Sequence, residues 1–97
     1  MNKQQYLLVK LMEECAEVQQ ACSKALIFGL DDQWKNEHSN SQKLTQEMGD
    51  LMGVWNMLLV QEADVEIGGY TMEMLLAKQE KINEFMQYSK ERGTLKD

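Results

Sequence analysis

A chain of 97 residues with no proline, six glycines and a preponderance of helix-favouring Leu, Met, Glu, Lys and Gln points to one all-α domain and away from a β-rich fold. Sixteen acidic against ten basic side chains give a formal net charge of −6, and the basic residues are not gathered, so no nucleic-acid partner is expected. A small phosphorylated substrate is not excluded, because a bound divalent cation reverses the local sign of charge.

From about Lys3 to Phe28, apolar residues recur as Leu7, Leu8, Leu11, Met12, Cys15, Val18, Ala21, Cys22, Ala25 and Leu26. That three-and-four spacing predicts an amphipathic helix, which Gly29 is placed to end. Cys15 and Cys22 stand seven positions apart on it, roughly 10 Å along the axis and too far to form a disulfide with each other. Both are expected to be buried free thiols, which suits a reducing compartment. The start Met1-Asn2-Lys3-Gln4-Gln5 lacks the apolar core of a signal peptide, and no apolar run reaches membrane-spanning length, so a cytoplasmic protein without a membrane partner is expected.

Leu30 to Asn40 is polar and aperiodic, the pattern of a connection. Trp34 within it is a candidate for stacking on a nucleotide base, whereas the single His38 is assigned no catalytic part. Asn40 or Ser41 is expected to cap a second helix, running from about Ser41 to Ala63 through Leu44, Met48, Leu51, Met52, Val54, Trp55, Leu58 and Leu59. Trp55 is read as core, and the eight methionines as flexible core filler. Gly68-Gly69 supplies a turn after Asp64, and Thr71 caps a third helix through Met74, Leu75, Ile82, Phe85 and Met86, with a frayed tail after Gly93 (about 94–97). A domain this small has marginal stability, which folds of this kind often recover by oligomerising.

The acidic residues carry the chemistry. At about 100° per residue, Glu14 and Glu17 fall roughly 70° and 130° from the centre of the first helix's apolar stripe, and Glu47 and Asp50 about 65° and 125° from that of the second. Both pairs lie on the same side. In an antiparallel hairpin, an approximate two-fold axis relates the helices, so the two pairs would converge at one seam, where their repulsion calls for a cation. An all-oxygen donor set suits Mg²⁺, with Mn²⁺ possible, better than Zn²⁺, and carboxylates spaced i, i+3 leave room for waters and phosphates.

The run Glu13-Glu14-Cys15-Ala16-Glu17, followed by Glu47-Met48-Gly49-Asp50, resembles the EExxE…ExxD signature of the MazG-like, all-α nucleoside triphosphate pyrophosphohydrolases. Gln20-Ala21-Cys22-Ser23-Lys24 and Phe28-Gly29 extend the likeness, which covers roughly the first sixty residues. The resemblance implies a four-helix-bundle type of fold completed by oligomerisation, as a homodimer or homotetramer, and hydrolysis of NTP to NMP and pyrophosphate, with Glu14, Glu17, Glu47 and Asp50 as metal ligands and catalytic residues. Glu13 is either a second group orienting water or a plain solvated side chain. Lys24, two turns beyond Glu17, is a candidate phosphate contact, as are Lys81 and Asn83 on the third helix near Lys78. Met86 stands where the family pattern leads one to expect arginine, a departure that weakens the case for phosphate binding from that helix.

Two other functions compete. Phosphoribosyl-ATP pyrophosphohydrolase shares the bundle and the acidic chemistry. A non-catalytic helical module would dimerise through its apolar faces and use the acidic flank for solubility or for a partner.

Overall fold

The computed structural model describes residues 1–60 and 67–96, and these are helical or irregular, with no strand among them. The fold is all-α, with elements in the order α1 (Lys3–Phe28), a short 3₁₀ turn (Trp34–Asn36), α2 (Asn40–Leu59) and α3 (Met72–Glu91). No helix among the described residues is long and apolar enough to cross a membrane. The chain divides into two compact units, Met1–Ile67 and Gly68–Asp97.

In the first unit, α1 opens on a capping box in which the Asn2 side chain accepts from the Gln5 amide at 2.8 Å and the Gln5 side chain accepts from the Asn2 amide at 2.9 Å. It ends at Gly29, whose φ of 98° lies where only glycine is unstrained. A Cβ added there would also stand 3.1 Å from Asp31 Oδ1. The cap of α2 is Ser39, not Asn40 or Ser41: its hydroxyl accepts from the Gln42 amide at 3.1 Å and its own amide donates to Gln42 Oε1 at 2.9 Å.

Asn40 has a different task. It is buried in the first turn of α2, and its Nδ2 donates to the Gly29 carbonyl at 2.8 Å and, at the longer distance of 3.5 Å, to that of Lys24. The Asn40 and Ser41 amides meanwhile donate to the carbonyls of Asp32 and Leu30. These bonds tie the start of α2 to the end of α1 and close an antiparallel hairpin. α2 stops at Leu59, with Val60 as its C-cap; the expected extension to Ala63, and Asp64 of the expected turn, lie outside the described residues.

The core of this hairpin is small. Leu7, Ala21 and Leu58 are buried, Leu58 to 2% exposure. Leu11, Glu14, Val18 and Ala25 continue the half-buried stripe of α1, one residue every three or four positions. A single partner helix covers only that stripe. Leu8, Met12 and Leu26 on its flanks are exposed, and so are the free thiols of Cys15 and Cys22, against the expectation that they are buried. The methionines are likewise not core filler: seven of the eight are exposed and Met52 is half-buried. Trp55 is half-buried, and its enclosed indole nitrogen has no hydrogen-bond acceptor among the described residues.

The second unit is α3 with its flanks. Thr71 caps it as expected, accepting from the Met74 amide at 3.2 Å, after an irregular stretch that includes Gly68 and Gly69. Gly93 takes φ 80°, and the Thr94 and Leu95 amides return to the Ser89 carbonyl at 2.9 and 3.2 Å.

Candidate metal centre

The antiparallel pairing that joins Asn40 to Lys24 and Gly29 also brings the middle of α2 against the middle of α1. One carboxylate oxygen from each of Glu14, Glu17, Glu47 and Asp50 lies within 4.8 Å of every other. The inner residues of the two pairs, Glu14 and Glu47, are half-buried, and the outer ones, Glu17 and Asp50, are exposed. This is the order their angles on the two helices predict.

The electrostatics follow from the crowding. Burial, then contact with Glu17 and the charges of Glu17, Asp50 and Glu47, raise the Glu14 pKa above its usual 4.5. Glu47 is raised foremost by its hydrogen-bonding contact with Glu17, then by burial and by the charges of Glu17 and Asp50. One oxygen of each, Glu14 Oε2 and Glu47 Oε2, is enclosed without a hydrogen-bond partner among the described residues. Enclosed carboxylate oxygens with no donor are costly in an apo chain and are what a cation site offers. The donor set is all oxygen, which fits a hard divalent ion such as Mg²⁺ or Mn²⁺.

A cleft of about 260 Å³ runs from this cluster toward the connection, lined by Glu17, Gln20, Ala21, Lys24, Asn40, Lys43 and Glu47. A neighbouring cleft of about 300 Å³ continues it and is lined by Lys24, Phe28, Asp32, Trp34, Glu37, Asn40 and Lys43. Lys24 and Trp34 therefore share a cleft next to the carboxylates. Trp34 is 67% exposed, with Lys35 Nζ 5.5 Å from its ring centroid, and Lys35 itself holds a left-handed backbone (φ 50°, ψ 41°) that a non-glycine residue seldom adopts.

Glu13, Lys81, Asn83 and His38 are not among the four carboxylates of the cluster. Glu13 stands outside the cluster, its carboxylate 3.0 Å from Lys10 Nζ on the exposed side of α1, which matches the solvated reading of that residue. Lys81 and Asn83 are exposed on α3, in the second compact unit. His38 is exposed in the connection. Lys43 was not anticipated, although it was findable: four residues before Glu47, it lies within about 40° of that side chain on the helix, as Lys24 lies near Glu17.

Comparison of the chain with protein-family models, with curated proteins and with solved structures finds no match. The functional reading therefore rests on the carboxylate geometry and the cleft beside it.

Proposed function

We infer that this chain is a divalent-cation-dependent nucleoside triphosphate pyrophosphohydrolase, converting an NTP or dNTP and water into the monophosphate and pyrophosphate. The observation that carries this reading is the meeting of four carboxylates from two antiparallel helices within 4.8 Å, two of them with an enclosed oxygen that has no hydrogen-bond partner among the described residues. The signature resemblance, with all four acids at the family's spacing, supports the same chemistry.

Glu14, Glu17, Glu47 and Asp50 would hold Mg²⁺, or Mn²⁺ in its place. When bound, the ion supplies charge neutralisation for the triphosphate and acidifies a coordinated water. The chain's own residues do the positioning. Lys24 offers an ammonium to phosphates lying in the cleft, and the exposed face of Trp34 offers a stacking surface for the base. Assembly as a homodimer or homotetramer, completing a four-helix bundle, belongs to the same reading. The free thiols of Cys15 and Cys22 fit a reducing cytoplasm.

The test is release of pyrophosphate from a panel of canonical and modified NTPs and dNTPs in the presence of Mg²⁺, with phosphoribosyl-ATP included. Glu14→Gln and Asp50→Asn should each lower the rate by about 100-fold or more, exceeding the roughly 10- to 100-fold typical of groups that only support a metal ligand. Hydrolysis of no member, or unchanged rates in both variants, would refute the proposal and leave the non-catalytic helical module.

A further inference from the structure

Lys43 occupies a junction. It lines the carboxylate cleft, the Trp34 cleft and a third cleft bounded by Gln33, Glu37, His38, Gln42 and Gln46. Its Nζ lies 3.0 Å from Glu37 Oε2, with the two side chains 29% and 61% exposed. Glu37 comes from the connection and follows directly on the 3₁₀ turn that carries Trp34. Its carboxyl is held below the usual range by the contact and charge of Lys43, and further by the charges of Lys24 and His38.

The two lysines stand at the same end of the carboxylate cluster, toward the connection. α1 contributes Glu14 and Glu17, with Lys24 on the same flank two turns on; α2 contributes Glu47 and Asp50, with Lys43 on the same flank one turn before. Two ammonium groups from different helices thus stand over one cleft whose far end is the carboxylate cluster. Glu37 is an anion that already pairs with one of them, Lys43, and lines the neighbouring cleft with both. An ion pair this exposed is weak, and a phosphate carrying more than one negative charge competes well for the same cations.

We propose that Lys43 and Lys24 form a paired cation seat for substrate phosphate, and that Glu37 is a tethered anion holding Lys43 until a phosphate displaces it. The inference rests on the pyrophosphohydrolase reading and extends it by assigning Lys43 and Glu37 opposite effects on phosphate affinity. A merely structural Glu37–Lys43 pair has no such opposition, since loss of either partner would then weaken the site alike.

The experiment is calorimetric titration of inorganic pyrophosphate into the full chain with Mg²⁺ present. Lys43→Met should weaken binding by about tenfold or more, while Lys43→Arg, which keeps the cation, should stay near wild type. Glu37→Gln should tighten binding by roughly two- to fivefold, and should change nothing when added to Lys43→Met. Absence of pyrophosphate binding in the wild type, or Glu37→Gln binding no tighter than wild type, overturns the proposal. Titration of Mg²⁺ alone separates the two levels. If Mg²⁺ binds and the variants leave pyrophosphate affinity unchanged, the cation seat falls while the metal reading stands; if Mg²⁺ does not bind but the variants shift pyrophosphate as stated, the reverse holds.

Discussion

Asn40 shows how one side chain can set the register of the whole site. Its amide group is buried and spends its hydrogens on carbonyls at the C-terminal end of α1, which fixes where along α1 the second helix begins and hence which residues of the two helices face each other. Asn40→Ala would remove this bond and leave the half-buried Gly29 carbonyl with only the longer 3.3 Å bond from the Asp32 amide, and should destabilise the chain by about 0.5–1.5 kcal/mol, measured by urea denaturation. The sequence alone suggested a different part for Asn40, because Asn, like Ser, is a good cap residue. The signal that separates them was present: Ser39 has Gln42 three residues on, completing a capping box, whereas Asn40 has Lys43 and Ser41 has Leu44. Lys43 is legible in the same way, as a cation four residues before Glu47 on the same flank of the same helix.

At the scale of the elements, the bounds of α1 coincide with the expected ones, because a long, strongly periodic stretch ends in a glycine that must take positive φ. The start of α2 differs by one residue, and a direct consequence can be measured. Ser39→Ala should cost about 1 kcal/mol and lower the midpoint of thermal unfolding, while Ser41→Ala should leave it close to wild type. The convergence of the two acidic pairs was legible because angular position on a helix needs only residue number, and an antiparallel hairpin carries equivalent flanks onto each other. Burial was less legible. Periodicity locates an apolar stripe but not the number of helices that cover it, so Cys15, Cys22 and most methionines were expected in a core that the hairpin does not reach. On α3, Leu75, Ile82 and Phe85 are exposed.

At the scale of the whole molecule, the carboxylate cluster places function and stability in opposition. Glu14 and Glu47 have pKa values raised in the folded chain, so they bind protons more tightly there than when unfolded. Their protonation therefore favours folding: the contribution is complete below the unfolded value and is lost as pH rises through the raised folded values. Glu37 has the opposite sign, its lowered pKa giving stability that is lost as pH falls through the folded value. It is a single exposed pair against two crowded carboxyls. Without divalent cation, the chain should thus melt at a higher temperature at mildly acidic pH, just above the ordinary carboxylate value of 4.5, than at neutral pH. Mg²⁺ should remove most of that loss, since an ion that binds only the folded state adds about 2.7 kcal/mol at a hundredfold excess over its Kd. Melting curves in chelator and in Mg²⁺ across that range check both statements.

The most direct measurement is a calorimetric titration of Mg²⁺ into the metal-free chain at neutral pH, with Glu14→Gln and Asp50→Asn beside the wild type. Saturable binding in the wild type, weakened by about tenfold or more in each variant, is the predicted result. Heat no greater than dilution, or one affinity shared by all three proteins, would contradict the claim that these four acids from two helices make a cation site.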